Sequence, residues 1–274
     1  MSDEMNGYLL RVKDVTHFFG GLCAVSHFDL DLRPGELVGI IGPNGAGKTT
    51  VFNLITGVYC ASRGSILFNA ARAGREGKAA GTVELVGKTP SQITQLGIAR
   101  TFQTIRLFKD MSVLDNVRTA HYAQVGYSPM EALFHVGRYR AEERRITDNS
   151  MDLLAVLRLD DYAAELAKNL PYGFQRRLEI ARALATRPRL LLLDEPAAGM
   201  NPKEIGELME FIQWIRRRFD LTILLIEHQM RLVMGICERI KVLDFGATIA
   251  EGLPHEVQNN PKVLEAYLGE EAAV

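Results

Sequence analysis

The segment Gly42-Pro43-Asn44-Gly45-Ala46-Gly47-Lys48-Thr49-Thr50 decides how this chain is interpreted. Apolar residues 37–41 precede it and the largely apolar residues 51–55 follow it, which predicts a strand, a glycine-rich loop and a helix in that order. The glycines permit a tight turn that points backbone N–H groups at phosphate oxygens. Lys48 is expected to contact the β- and γ-phosphates, and the Thr49 hydroxyl is placed to bind Mg²⁺. We infer a nucleoside-triphosphate site rather than an ordinary glycine turn before a helix.

A second acidic motif lies far along the chain. Residues 190–193 are all leucine, and Asp194 and Glu195 follow them. An unbroken apolar run is typical of a strand that is buried on both faces of a sheet. Asp194 is expected to hold Mg²⁺ directly or through water, and Glu195 to orient or deprotonate the attacking water. A solvated strand end is the alternative interpretation of both residues.

Composition sets limits on the function. The chain has 274 residues, 47% of them hydrophobic, and a formal charge of −1, which predicts one large or two small globular domains without an electrostatic bias toward nucleic acid. Cys23, Cys60 and Cys237 share no metal-ligand spacing, so we expect reduced, packed thiols. Residues 1–4 are unlike a secretory signal, and no apolar run approaches the ~18 residues that a membrane span needs. A membrane role would therefore require another chain.

The order of elements predicts an α/β chain with a helical interruption. Strands are expected at 9–15 and 28–32, with a turn at 18–21. Residues 70–81 have no apolar face and are predicted to be an exposed excursion of a β-hairpin, a functional basic loop being the alternative. Helical periodicity dominates from Ser112 to Ala167. Other strands are predicted at 65–69, 82–86, 98–103, 189–194, 221–227, 240–244 and 247–250. Other helices are predicted at 90–96, 176–185 and 202–219, and residues 255–268 are predicted to form a helix pair broken at Pro261.

In these motifs, over nearly its whole length, the chain resembles the ATPases of ATP-binding-cassette (ABC) transporters. Residues 42–49 match the Walker A loop of that family, and residues 190–194 match its Walker B strand. Gln103 stands where the family's Q-loop glutamine contacts Mg²⁺ and water. His228 stands where the switch histidine contacts the γ-phosphate. Phe19 matches the aromatic residue that stacks on adenine, and we expect one of Phe18 and Phe19 to lie in the core.

The resemblance implies an α/β fold, namely a P-loop NTPase (RecA-like) core with an N-terminal antiparallel β subdomain and an inserted all-α subdomain. We place the core at 1–103 and 174–254, the helical insertion at 104–173, and a C-terminal helical tail at 255–274. ATP and Mg²⁺ are the implied cofactors. The implied catalytic residues are Glu195, His228, Lys48 and Gln103; the nucleotide-binding residues are Phe19, Gly42, Pro43, Asn44, Gly45, Ala46, Gly47, Lys48, Thr49, Thr50 and Gly173; and the metal ligands are Thr49, Gln103 and Asp194.

Two loops depart from the family pattern. Leu170-Pro171-Tyr172-Gly173-Phe174 stands where Leu-Ser-Gly-Gly-Gln is common, in the loop that closes over the γ-phosphate of a partner subunit. Pro171 has neither a hydroxyl nor an N–H, whereas Gly173 keeps its backbone donor. We expect an active but slower ATPase, with an inert subunit as the alternative. Asn201 stands where the family's D-loop usually ends in aspartate, so it keeps an acceptor and loses the charge.

Several runs narrow the resemblance to the ATP-binding subunits of branched-chain amino acid importers. They are residues 100–103, 106–108, 172–182, 194–202, 226–230 and 260–269. Residues 70–81 are extra against that family. The implied partners are a second ATP-binding subunit, transmembrane permease subunits and, indirectly, a periplasmic binding protein, at the cytoplasmic face of the plasma membrane and without nucleic acid. Leu107, Phe108 and Met111 are candidates for the permease groove or, equally, for core packing.

Two other functions stay open at this point. One is an ABC ATPase for another cargo, in lipid or lipopolysaccharide export or in urea or amide uptake. The other is a non-transport ABC ATPase of DNA repair or translation, against which a single compact cassette without a basic patch argues. A nucleotide-hydrolysing subunit does not touch cargo, so the sequence leaves the cargo, the permease and the choice between homodimer and heterodimer open.

Overall fold

The computed structural model of the chain describes residues 5–70, 81–122, 131 and 138–271. Packing divides the chain into two compact units, Met1–Gln103 with Arg189–Val274, and Thr104–Pro188. All described strands belong to the first unit, and the second unit is built from helices. The fold class predicted from the sequence, an α/β P-loop core with an antiparallel β subdomain and a helical subdomain, is confirmed.

A six-stranded sheet forms the centre of the first unit. Its strands are β3 (Leu37–Ile41), β6 (Ile98–Arg100), β7 (Leu190–Asp194), β8 (Thr222–Ile226), β9 (Arg239–Asp244) and β10 (Ala247–Gly252), in the order β10-β9-β3-β8-β7-β6. All neighbours pair in parallel except β9 and β10. Every residue of β3, β7 and β8 is buried, as unbroken apolar runs predict for strands covered on both faces. The loops that follow these three adjacent strands therefore meet at one edge of the sheet.

A second, antiparallel sheet packs beside the first one. It contains β1 (Leu10–Phe19), β2 (Leu22–Leu32), β4 (Arg63–Asn69) and β5 (Thr82–Glu84), in the order β2-β1-β4-β5. Its apolar side chains, including Phe28 and Phe68, share one core with Phe52 and with the central strands. The predicted pairing of β4 with β5 is confirmed. Residues 71–80, which carry most of the predicted excursion, lie outside the described residues.

The helices of the first unit begin with α1 and α2 and continue after the second unit. They are α1 (Lys48–Ile55), α2 (Pro90–Gln95), α6 (Pro202–Arg218), α7 (Met230–Ile236), α8 (Pro254–Gln258) and α9 (Pro261–Glu271). Thr89 and Asn201 each cap a helix in a reciprocal capping box, with Gln92 and Glu204. No described helix has the length and apolarity that crossing a membrane requires.

The described part of the second unit contains α3 (Val113–His121), α4 (Arg138–Val156), α5 (Tyr172–Ala185) and two short 3₁₀ turns, Asp160–Tyr162 and Ala167–Asn169. Helix α5 packs on both α3 and α4. For that reason α5 groups with the helical unit, whereas the sequence-based boundary at residue 173 assigned nearly all of it to the core. The predicted boundaries stay a prediction.

Several local expectations need correction. The strands expected at 9–15 and 28–32 extend to Phe19 and back to Leu22, because register shifts after Val12 and Val15 break the alternation on which the prediction relied. The strand expected at 98–103 ends at Arg100. Cys60 is exposed rather than packed, whereas burial raises the pKa of the Cys237 thiol to about 12.

Candidate nucleotide site

The glycine-rich loop joins the end of β3 to the start of α1, as predicted. Gly42 and Gly47 have φ values of 150° and 99°, in the region that favours glycine. A side chain at Gly42 would collide with the carbonyl oxygen of Leu243, and a Cβ at Gly47 would lie 2.6 Å from the carbonyl oxygen of Ala24. The neighbouring strands therefore press directly on the loop backbone, and only glycine fits at both positions.

The start of α1 is arranged to receive an anion. Gly47 occupies the N-cap position, and no side chain caps this end of the helix. The Lys48 ammonium group is buried and donates to the carbonyl oxygens of Gly42 and Pro43, both at 2.7 Å. Thr49 is exposed in the first turn. Backbone N–H groups and a lysine converge here, which is the chemistry that phosphate groups require at a helix N-terminus.

Asp194 ends β7 in a buried ion pair. Its Oδ2 lies 2.6 Å from Nη2 of Arg100, and the two side chains are only 5% and 7% exposed. Arg100 also donates to Oδ1 of Asn53 on α1, at 2.6 Å, and its guanidinium group lies over the Phe52 ring. The carboxylate predicted to hold Mg²⁺ is thus fixed through one oxygen to a side chain that also contacts the helix of the phosphate loop.

Two of the predicted catalytic residues, Gln103 and His228, lie close to a third, the carboxylate of Glu195. Gln103 donates from Nε2 to Oε2 of Glu195 at 2.7 Å, and Nδ1 of His228 lies 3.7 Å from the same oxygen. Glu195 has a φ of 44°, an uncommon backbone conformation for a residue with a side chain. Its N–H donates to the carbonyl oxygen of Ile226 at 2.9 Å. The ends of β7 and β8 therefore bring together residues that are far apart in the sequence.

Phe19 belongs to an aromatic cluster. Its ring makes edge contacts with the rings of His17 and Tyr59, at centroid distances of 4.6 and 5.1 Å. Phe18 and Phe19 are both 42% exposed, so the expectation that one of them is buried in the core is wrong. Since β1 extends through both residues to a turn at Gly20, neither reaches the interior. Phe19 presents an exposed, supported ring of the kind that stacks on a base.

The two loops that depart from the family pattern both precede helices. Pro171 is the N-cap residue of α5 and accepts N–H bonds from Phe174 and Gln175 through its carbonyl oxygen, at 2.9 and 3.0 Å. Gly173 is exposed, and a Cβ there would meet no described heavy atom within 4 Å. Asn201 caps α6 by accepting from the N–H groups of Lys203 and Glu204. Asparagine caps a helix about as well as aspartate, so this departure preserves the local fold.

The second unit also shows where the candidate groove residues lie. Phe108 is 49% exposed, and Arg182 covers its ring at 4.7 Å from the centroid, whereas Leu107 and Met111 are half-buried. Asp110, which follows Phe108 closely in the sequence, forms an exposed ion pair with Nζ of Lys168. Core packing thus does not describe Phe108, and its role as a docking residue stays a prediction.

Sequence reasoning missed the roles of Arg100 and Glu227. Arg100 on β6 pairs with Leu192 on β7, the strand that ends in Asp194. The sequence alone does not show that β6 and β7 are neighbours in the sheet. Glu227 had a signal in the sequence, because it follows an apolar strand as Asp194 follows Leu193. Its side chain is fully buried and accepts three backbone N–H groups.

Comparison with known proteins agrees with this architecture. The model of the ABC transporter family matches residues 25–198, and the model "Branched-chain amino acid ATP-binding cassette transporter" matches residues 247–273. The chain is 44% identical to the high-affinity branched-chain amino acid transport ATP-binding protein LivG of Escherichia coli K12, over 97% of this chain and 100% of that protein. It is 41% identical, with the same coverage, to the corresponding protein BraF of Pseudomonas aeruginosa.

A solved structure extends the comparison to the fold. The ADP conformation of MJ1267, an ATP-binding cassette of an ABC transporter, superimposes with a TM-score of 0.79 at 31% identity, over 96% of this chain and 99% of that one. The fold and the phosphate loop thus define a P-loop ATPase of the ABC type. The chain belongs to the ABC transporter ATP-binding proteins, in the branched-chain amino acid (LivG/BraF) family. It binds ATP and couples ATP hydrolysis to transport as one component of a transporter complex.

Proposed function

We propose that this chain powers the uptake of branched-chain amino acids by hydrolysing ATP with the residues gathered around Glu195. The observation that supports this chemistry is the placement of the Gln103 amide and the His228 ring against one carboxylate oxygen. The cargo is proposed from the names of LivG and BraF, which the chain matches over nearly its full length.

Residues 42–50 hold the triphosphate in this proposal. Lys48 exchanges its bonds with the carbonyl oxygens of Gly42 and Pro43 for bonds with the β- and γ-phosphates. Asn44 and Gly45 are exposed in the loop, and Thr50 lies in the first turn of the helix. Phe19, supported by His17 and Tyr59, stacks on the adenine.

The residues beside the phosphate loop fit Mg²⁺. A hydroxyl from Thr49, a carboxylate from Asp194 and an amide from Gln103 are the oxygen ligands that this hard cation takes. Asp194 is already fixed by Arg100, and Gln103 by Glu195, so both side chains are pre-oriented. When bound, the ion would neutralise charge on the phosphates.

Hydrolysis is proposed to follow from the geometry at Glu195. Its carboxylate orients a water molecule and accepts a proton from it as the water attacks the γ-phosphate. Gln103 holds the carboxylate, while Lys48 and His228 donate to the oxygens on which charge accumulates. The resemblance assigns Gly173 to a second ATP-binding subunit's nucleotide, so two copies, or two related subunits, would close head to tail around two nucleotides.

The proposed partners are transmembrane permease subunits, with a periplasmic binding protein that delivers cargo to them. The chain would then work at the cytoplasmic face of the plasma membrane. Exposed Phe108 is a candidate contact for the permease. Loss of leucine uptake in cells that lack this chain, with recovery by the intact chain, is the expected result for the cargo. Unchanged leucine uptake together with altered lipid export would contradict it.

Glu195→Gln tests the chemistry directly. The amide keeps the shape of the side chain but cannot accept the proton, so we expect ATP hydrolysis to fall by a factor of about one hundred or more. ATP affinity should stay within about threefold, because the phosphate loop is unchanged. Steady-state phosphate release and equilibrium ATP titration measure the two quantities. Turnover that is unchanged in this variant would remove Glu195 from the proposed role.

A further inference from the structure

Glu227 is a buried carboxylate to which the proposed hydrolysis gives no role. Its side chain is fully buried at the end of β8. Oε1 accepts the N–H of Ala197 at 2.7 Å, and Oε2 accepts the N–H groups of His228 and Gln229 at 3.0 and 3.1 Å. A single side chain thus bonds to two separate loops, one after β7 and one after β8.

These two loops carry the residues that act on the γ-phosphate in the proposed function. Ala197 lies two residues after Glu195, in a turn in which the Ala198 N–H donates to the carbonyl oxygen of Glu195 at 3.2 Å. His228 begins the loop that leads into α7. The strained φ of Glu195, 44°, needs surrounding contacts that hold the turn in place. Glu227 supplies such a contact from the neighbouring strand.

The surroundings of the Glu227 carboxylate show what stabilises its charge. Within the described part of the chain, the one basic side chain within 4 Å of the Glu227 carboxylate is the His228 ring, whose Nδ1 lies 4.0 Å from Oε2. Backbone N–H groups therefore stabilise the buried carboxylate, as in an anion-binding nest. Both oxygens must be acceptors, because N–H donors face each of them.

We propose that Glu227 is a positioning residue that fixes where His228 lies relative to Glu195 as both residues approach the γ-phosphate. This inference rests on the proposed function, which assigns both of these residues to hydrolysis. By bonding to the two loops at once, Glu227 fixes the distance between the switch histidine and the catalytic carboxylate. It does not touch the nucleotide, so its effect appears in turnover rather than in ATP affinity.

Glu227→Gln is the main variant, because glutamine keeps the shape and offers only one acceptor oxygen. In either orientation its NH₂ group faces an N–H donor, so one loop loses its bond. We expect kcat to fall about tenfold to a hundredfold, with KM for ATP within about threefold, since small misplacement of reacting groups costs this much.

Glu84→Gln is the matched control. The Glu84 carboxylate also accepts two backbone N–H groups, from Ile66 and Val86 at 2.8 and 3.0 Å, but both bonds end on Oε1 and the residue lies in the antiparallel sheet. The amide oxygen of glutamine can take the place of Oε1 and keep both bonds, so the control should leave both thermal stability and kcat near their starting values. If Glu227→Gln lowers thermal stability but keeps kcat as the control does, Glu227 is only a structural residue and the inference is wrong.

A double-mutant cycle with His228→Ala separates positioning from general damage. If Glu227 acts through His228, the added effect of Glu227→Gln in that background shrinks to less than about threefold. Equal losses in both backgrounds would overturn the inference. His228→Ala alone tests the proposed function, because unchanged turnover in that variant would remove His228 from hydrolysis whatever Glu227 does.

Glu227→Asp covers the case in which the glutamine variant does not fold. It keeps the charge but shortens the side chain by one methylene, so it can reach only one of the two loops. We expect ATP binding to persist, with a loss of kcat smaller than that of the His228→Ala variant. Full kcat in the folded aspartate variant would contradict a requirement for both bonds.

Discussion

The phosphate loop and the segment before α5 are both helix starts without a side-chain cap, but they differ in what surrounds them. Gly47 ends the phosphate loop with a φ of 99° and lies against the carbonyl oxygen of Ala24. Gly173 is the second residue of α5 and is exposed, with open space where a Cβ would lie. The first start is therefore shaped by its own unit. The second has an N-terminus that its surroundings leave open, as a site completed by another molecule requires.

This difference predicts where a single methyl group does damage. Gly47→Ala places a Cβ 2.6 Å from a carbonyl oxygen at a φ that alanine rarely adopts. The loop must shift, so we expect ATP affinity to fall by at least about one hundredfold, equal to about 2.7 kcal/mol. Titration with a fluorescent ATP analogue measures the affinity, and denaturant unfolding reports the accompanying loss of stability.

Gly173→Ala is the matched control for that change. Since its methyl group meets no described atom, stability and ATP affinity in the isolated chain should stay at the starting values. Hydrolysis should fall, because the proposed closure brings this segment against a second subunit's nucleotide. Normal ATP binding by Gly47→Ala, or lost binding by Gly173→Ala, would invalidate the distinction between the two helix starts.

Pro171→Ser sharpens the comparison at the second helix start. Pro171 has φ −54° and ψ 151°, an extended conformation that serine adopts at N-caps. The new hydroxyl can cap the first turn, worth about 1 kcal/mol, while loss of the proline ring costs about 0.4–1 kcal/mol through the unfolded chain. We expect stability within about 1 kcal/mol and hydrolysis that is equal or faster. A large loss of turnover would show that the proline has a positive function.

The contrast also explains what the sequence could predict. The order of strand, glycine-rich loop and helix around residues 42–50 was predicted correctly, although the helix already begins at Lys48, because glycine spacing and flanking apolar runs act locally. The bounds of β1 and β2 were not, since bulges after Val12 and Val15 interrupt the alternation. The ion pair of Arg100 with Asp194 depends on β6 lying next to β7, which only the folded sheet defines.

Asn201 and Glu227 show the same difference between local motifs and contacts that depend on the folded sheet. Asn201 caps α6 by accepting the N–H groups of Lys203 and Glu204, and aspartate could accept the same two groups. The spacing of Asn201 and Glu204 is that of a capping box, so the sequence itself offers an explanation for asparagine at this position. The role of Glu227 could not be predicted locally, because its two loops come together only when β7 and β8 pair in parallel. Local motifs could be found in the sequence, whereas contacts that join the ends of neighbouring strands could not.

The smallest predicted effect concerns acid, and it belongs to the helical unit alone. His121 on α3 is buried, and this burial lowers its pKa from the ordinary value of 6.5, with help from the charges of Arg187 and Arg145. The unfolded chain therefore binds a proton more readily than the folded chain below about pH 6.5. Stability contributed by neutral His121 is present above that pH and is lost as the pH falls toward the lower folded-state pKa.

Unfolding of the intact chain at pH 7.5 and at pH 5.5 measures this contribution, and His121→Gln is the control because it cannot be protonated. The chain should lose more stability on acidification than the glutamine variant does, since only the chain carries the histidine proton. Identical losses would show that His121 does not distinguish the two states. His121, Arg145 and Arg187 all belong to the helical unit. Amide hydrogen exchange measured at the same two pH values should therefore show loss of protection in α3 and α4 first. Equal loss of protection in β3 and β7 would mean that the two units unfold together.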